Sequence, residues 1–233
     1  MDIPILYEDN HLLIVEKPIN IPVQEDRTKD DDLLTILKKF IKERDEKPGN
    51  VYLSLIHRLD RPVGGAIVFA KTSKAASRLS DQLRRRTIER KYLAIVRGAL
   101  KKTEAKLVGY LWKDTKKNIV SIVPKHKRDA KQAILKYRVL ETNKNLSLLE
   151  VELETGRPHQ IRVQLNGIGH PLYGDQKYGQ HVNKIGEQIA LWAYELTLTH
   201  PTTKEVITVH SFPKQIYPWS EWAYIKKMRL GKS

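Results

Sequence analysis

The chain contains no cysteine. That absence removes disulfides, thiolate zinc sites and cysteine nucleophiles together. Acidic residues are also scarce: 27 Asp and Glu stand against 42 Lys and Arg, giving a net charge of +15 and a sequence pI near 9.8. An excess of that size speeds encounter with polyanions, of which nucleic acid is the commonest partner for a soluble protein. No apolar run approaches the length of a membrane span. Met1 is followed by Asp2, Pro4 and Glu8, which fits no signal peptide, so a cytoplasmic protein is expected. Three site patterns are missing as well: a GxxxxGK[ST] loop, a GxGxxG after a strand, and HExxH. His57 and Asp60 could share a helix face, but Pro62 argues against a helix there. The chemistry, if any, must therefore run on carboxylates, basic groups and phenols, without an obvious cofactor.

The 233 residues, 40% of them hydrophobic, suffice for a substantial core. Residues 5–7 and 12–15 read as strands across an Asp9-Asn10 turn, and Lys17 to Pro22 as a loop. Asp30, Asp31 and Asp32 can cap a helix that places Leu33, Leu34, Ile36, Leu37 and Ile41 on one face. Residues 51–56 and 66–70 read as strands. Thr72 or Ser73 starts a helix through Arg86. Strands are expected over 91–96, 105–112, 118–123, 133–140, 146–153, 189–199 and 205–209. Pro158 suits the first position of a short helix, and residues 215–228 suit another. Many strands, few helices and no regular βαβ alternation predict an α+β fold. Its central sheet is mixed and mainly antiparallel, with flanking helices and a catalytic cleft, all in a single domain spanning 1–233.

The most telling segment is His57-Arg58-Leu59-Asp60-Arg61-Pro62-Val63-Gly64-Gly65. It sets one carboxylate among arginines at a corner between two apolar runs, a place that can hold a reactive group rigidly. Nearby positive charge favours the carboxylate form. A fixed anion suits a nucleophile better than a proton donor. The plain alternative is an Asp in a turn, paired with Arg58 or Arg61 for stability. Three more segments stand out. In Arg90-Lys91-Tyr92-Leu93-Ala94-Ile95-Val96, Tyr92 is either a core residue or a phenol that faces a base. In residues 155–165, His159, Arg162 and Val163 share a helix face, and an arginine there is either solvent-facing or aimed at a buried acid. Residues 170–175, HPLYGD, form a rigid loop.

Together these segments resemble the RluA-type RNA pseudouridine synthases. Residues 57–65 are similar to that family's HRLDRxTSG motif, residues 5–18 (ILYEDNHLLIVEKP) to its opening hairpin, and residues 90–96 to KxYxAxV. Residues 131–140 resemble GKxAxTxYxVL, residues 155–165 TGRxHQIRVHL, and residues 170–179 HPIxGDxxYG. The order and spacing run through almost the whole chain. The resemblance implies the pseudouridine synthase fold and isomerisation of uridine within structured RNA, ribosomal or transfer RNA, without a cofactor or metal. It implies Asp60 as the essential carboxylate, Tyr92 stacked on the flipped uracil and a candidate to remove the C5 proton, and Arg162 paired with Asp60. Arg58, Arg61, His57, Arg157 and His159 are the expected substrate-binding set, Arg58 filling the stack that the extruded base leaves. Two other uridine- and base-modifying classes, cysteine-dependent C5 methylation and zinc-dependent deamination, have no thiol to work with. A catalytically silent RNA-binding protein on the same fold, a glycosidic hydrolase and a structural basic protein are the rival readings.

The chain departs from the family pattern at three places: Val63-Gly64 replaces T-S, Gln164-Leu165 replaces H-L, and Ile19-Asn20-Ile21 replaces A-G-L. The match begins at Ile5, which leaves no room ahead of it for the S4 domain some members carry. RNA backbone contacts are then expected from the domain itself, at Arg84, Arg85, Arg86, Lys125, Lys127 and Arg128. Neither a membrane nor an obligate protein partner is indicated, and the oligomeric state is not legible.

Overall fold

A computed structural model describes residues 3–26 and 28–231. In chain order its first elements are β1 (Ile5–Glu8), β2 (Leu12–Lys17), α1 (Leu33–Arg44), β3 (Ser54–Leu55), β4 (Gly64–Ala70) and α2 (Ser73–Arg85). Five strands and a helix follow: β5 (Glu89–Arg97), β6 (Glu104–Asp114), β7 (Ile119–Val123), β8 (Lys131–Thr142), β9 (Leu146–Leu153) and α3 (Gln160–Gly167). The chain closes with β10 (Leu191–Thr199), β11 (Val206–His210), a 3-10 turn (Trp219–Glu221) and α4 (Ala223–Leu230). Two compact units divide these elements. One contains the chain through Glu89 together with Ala193–Ser211; the other contains Arg90–Trp192 and the residues from Phe212 onward.

In the first unit the strands run β1-β2-β4-β10, with β11 on β10 and β3 on β4. The β1–β2 hairpin turns on Asp9, whose carboxylate accepts the His11 and Leu12 N–H groups, a local side-chain turn of the kind Asp favours. Every residue of β4 is buried, which explains a run of small and branched apolar residues without alternation. Helix α1 starts at Asp32, whose side chain accepts the Thr35 N–H at 3.0 Å. It buries Leu33, Leu37 and Ile41 at i, i+4, i+8. Helix α2 starts at Thr72 and stops one residue before the sequence reading had it, with Arg86 as a left-handed cap. The core of this unit packs Leu12, Ile14, Val68, Leu79, Leu196 and Leu198.

The second unit is an antiparallel sheet in the order β5-β9-β8-β6-β7, in which β5 pairs β9 and β6 pairs β8 out of sequence order. One of its apolar clusters joins Leu111, Val120, Ala133 and Val163, with Tyr178 packed against them. The fold class is thus α+β with a mainly antiparallel arrangement.

Three local expectations are corrected. Residues 51–56 hold only the two-residue β3, because Tyr52 is half exposed and the ladder stops after Leu55. The next strand N–H on β4, that of Val68, is taken by His57 Nε2 instead of a backbone carbonyl. Pro158 lies ahead of α3 rather than in its first turn. The Gln160 N–H bonds the Arg157 carbonyl, and His159 is left-handed at φ 52°, so Pro158 and His159 form the centre of a tight turn. The C-terminal helix is split at Trp222 into the 3-10 turn and α4.

Candidate functional site

The corner of the first unit alternates. His57 and Leu59 are buried, Arg58 is exposed and Asp60 is half-buried. Alternation is what an extended segment gives, so Arg58 and Asp60 leave on the same side while Leu59 anchors the backbone. The Asp60 carbonyl accepts the Val63 N–H at 2.9 Å and closes the turn. Val63 is buried, so an apolar side chain at this departure from the family pattern serves the core. Gly65 is fixed by packing rather than needed for flexibility. It has φ +116°, and a Cβ would collide with the Ala193 backbone.

Arg61 is committed locally. Its guanidinium reaches the Asn20 carbonyl, the Thr28 hydroxyl and the Asp30 carboxylate, and Asp26 lies 3.9 Å away. Its backbone carbonyl accepts from Lys17 Nζ at 3.0 Å, as does the Pro18 carbonyl at 2.8 Å. Lys17 is the last residue of β2 and fully buried, although the sequence places it at the start of a polar loop. Burial pulls its ammonium down to about 7, against an upward pull from the Asp60 charge and a further downward push from Arg61. The corner thus brings a buried cation under the loop that carries Asp60.

In the second unit Tyr92 is buried in the middle of β5, paired with Val151 of β9. The turn into α3 is held by a side-chain staple. Thr155 Oγ1 accepts the Ile134 N–H and donates to Gln160 Oε1, which also accepts the Arg157 N–H. Arg157 turns outward to the Gln132 carbonyl. His159 Nδ1 lies 2.6 Å from the Tyr178 hydroxyl, which accepts the Val120 N–H. A non-glycine residue held left-handed by such contacts is local strain of the kind that gathers at functional sites.

Arg162 is buried, and its Nε and Nη2 fork onto the two carboxylate oxygens of Asp175 at 2.9 and 2.8 Å. Its guanidinium also lies over the Tyr178 ring at 5.2 Å. Burial pushes the Asp175 carboxyl up, but the Arg162 fork and charge and the Lys177 and Tyr178 N–H groups outweigh it and hold the carboxyl low. A planar fork fixes the direction of a guanidinium as well as its charge. Asp175 is therefore the partner that orients Arg162, whereas the sequence alone places it only in a rigid loop. The signal was its position in HPLYGDxxYG, a motif that also supplies Tyr178. The same loop is braced by Asn183, which accepts from Arg97 and the Gly174 N–H and donates to the Leu172 carbonyl.

The expected backbone-binding cations lie on the surface. Arg84 and Arg85 lean on Asp81, Arg86 caps α2, Lys127 lies over the Trp112 ring at 5.2 Å, and Lys125 and Arg128 are exposed. Among the described residues no three His, Asp or Glu side chains gather as metal ligands, and no helix is long and apolar enough to cross a membrane.

A model of the family described as RNA pseudouridylate synthase matches residues 11–167. The chain belongs to the RNA pseudouridylate synthase family. Within it, the chain is 35% identical over 218 residues to an uncharacterised RNA pseudouridine synthase, YhcT, of Bacillus subtilis, covering 91% of this chain and 69% of that one. It is 37% identical to the ribosomal large subunit pseudouridine synthase D of Nitrosomonas europaea, covering 87% of this chain and 60% of the relative. The chain thus spans about three fifths to two thirds of these relatives' length. The synthase fold is shared with the human RNA pseudouridylate synthase domain containing 4, at a TM-score of 0.76 and 23% identity over 91% of this chain and 89% of that one. The matched span includes the Asp60 corner, Tyr92 and α3, while the HPLYGD segment at 170–175 lies beyond its end.

Proposed function

We propose that this chain isomerises uridine to pseudouridine in structured RNA, with Asp60 as the essential carboxylate. The observation that supports this most is the build of the Asp60 corner. A half-buried carboxylate leaves a turn whose neighbours are fixed: Leu59 and Val63 are in the core, the Arg61 guanidinium is on Asp30, and the Arg61 carbonyl is on a buried lysine. A carboxylate held this way loses little freedom when it meets a ribose.

The reaction breaks the bond between uracil N1 and C1′, turns the base, and joins C5 to C1′. The C5 proton then leaves and N1, freed from C1′ with the bonding pair, takes up a proton, so the product has the composition of the substrate. Asp60 acts at the sugar, by attack at C1′ or by taking a sugar proton. Tyr92 stacks on the extruded uracil and is placed by motif to take the C5 proton. Arg162, aimed by Asp175, balances the charge of the reacting carboxylate. Arg58 fills the stack left by the base, and Arg157 and His159 bind the RNA beside it. Flipping costs a few kcal/mol, which stacking and phosphate contacts offset.

The substrate we favour is ribosomal RNA, because several relatives are named ribosomal large subunit pseudouridine synthases. Site-by-site pseudouridine mapping of ribosomal and transfer RNA, in cells with and without the gene, tests the reading. It predicts at least one rRNA uridine that loses its modification in the deletion and regains it with the wild-type gene. An unchanged map would sink it.

A further inference from the structure

Arg90 opens the second unit at the start of β5, two residues before Tyr92. Side chains two apart on a strand line the same face, so Arg90 and Tyr92 leave β5 on one side. β9 runs antiparallel to β5 in the register Lys91 to Glu152 and Tyr92 to Val151. The end of β9 and the turn that follows it therefore lie beside Arg90. The contact is close: a Cβ added at Gly156 would stand 2.7 Å from Arg90 Nη1. Gly156 has no positive φ, so its lack of a side chain makes room for the guanidinium rather than for an unusual backbone.

No hydrogen bond or ion pair to Arg90 is formed by any described residue, and its Nε is buried without an acceptor. A partly buried guanidinium with a dry, unengaged donor is costly unless an anion completes it. The same turn holds a second buried donor without an acceptor among the described residues, Gln160 Nε2. Arg162, Arg97 and Arg61 differ, each having a carboxylate.

We infer that Arg90, seated against Gly156, is a clasp for a backbone phosphate of the RNA strand whose uridine meets Tyr92. This rests on the proposed function and adds to it a specific anion contact, separate from the exposed lysine and arginine runs. A guanidinium suits a phosphate because it presents two parallel N–H donors.

The test uses the full chain. Binding of a fluorescein-labelled rRNA hairpin is followed across a salt series, and tritium release from C5-labelled rRNA transcripts is measured in parallel. Arg90→Gln should raise KM about 10-fold with a smaller change in kcat, and should shallow the slope of log affinity against log salt by roughly 0.7–0.9, one phosphate's worth. Arg90→Lys should keep most of the slope. Gly156→Ala, which pushes the guanidinium aside without touching its charge, should raise KM in the same direction. An Arg90→Gln variant with wild-type slope and KM overturns the clasp, as does one whose only change is a lower Tm. Failure of the proposed function looks different: the wild-type protein itself then releases no tritium, while the binding slope still reports on Arg90.

Discussion

Asp175 and Arg162 form a buried fork in which each member is costly without the other. Asp175→Asn leaves the shape but removes the charge that holds the guanidinium. A hydrogen bond to a charged group is worth about 1.5–3 kcal/mol, so kcat/KM should fall about 10- to 100-fold, mostly in kcat. Asp175→Glu should recover part of the loss. Equal KM and kcat in the Asn variant would remove Arg162's aim from the account. Lys17 offers a titration. Its folded value near 7 lies below the ordinary lysine range, so between about pH 7 and pH 10.4 the unfolded chain binds a proton that the folded chain has lost. Stability should therefore rise with pH across that window, by up to a few kcal/mol in urea melts. The rise should vanish in Lys17→Met. In Asp60→Asn it should begin at lower pH, because the charge that favours the ammonium is gone. A wild-type curve that is flat from pH 7 to pH 10 would contradict the buried ammonium.

At the level of elements, β1, α1 and β4 meet in one ion cluster. Arg44 at the end of α1 forks onto the Glu8 carboxylate, both bonds at 2.7 Å, and Lys71 just after β4 adds a third bond of 2.7 Å. The Arg44 bond, with the Lys71 bond and both charges, holds Glu8 down at about 2 despite its burial. A depressed carboxyl contributes stability that is present above its unfolded value near 4.3 and is lost as pH falls toward 2. Glu8→Gln should cost about 1–2 kcal/mol at neutral pH, after allowance for solvent around Arg44, and should shrink that acid-side loss, as read by thermal melts. The elements themselves were largely legible. Asp32 and Thr72 announced their helices by capping chemistry, and the strands from β5 to β9 announced themselves by apolar segments. The misses share a cause: a side chain doing a backbone's work. His57 ends a ladder by accepting a strand N–H, Gln160 staples a turn that keeps Pro158 out of the helix, and Lys17 spends its charge on two carbonyls. Sequence spacing carries no sign of such substitutions. Motif matching proposes Asp60, Tyr92 and Arg162, whereas the Arg162–Asp175 fork needed coordinates.

The whole molecule is strongly basic, and its surface cations should set how affinity for RNA depends on salt. Lys125, Lys127 and Arg128 occupy the connection between β7 and β8, and all three are exposed. Replacing the three by Ala should leave the fold intact and shallow the slope of log affinity against log salt by roughly 2–3. The Arg84 and Arg85 pair should matter less per residue, since Asp81 already sits on both. A slope unchanged in the triple variant would move the RNA interface elsewhere on the surface. At this scale the charge was plain in the sequence, whereas the boundaries of the two compact units were not, because the segment Ala193–Ser211 rejoins the first unit from far along the chain.

The central claim is that one carboxylate drives the isomerisation. Tritium release from C5-labelled uridine in unmodified rRNA transcripts tests it most directly, comparing wild-type protein with Asp60→Asn and Asp60→Ala at matched folding stability. The account predicts release at the target uridine by the wild-type protein and none above background by either variant, with RNA still bound. Release by either variant at the wild-type rate would contradict it.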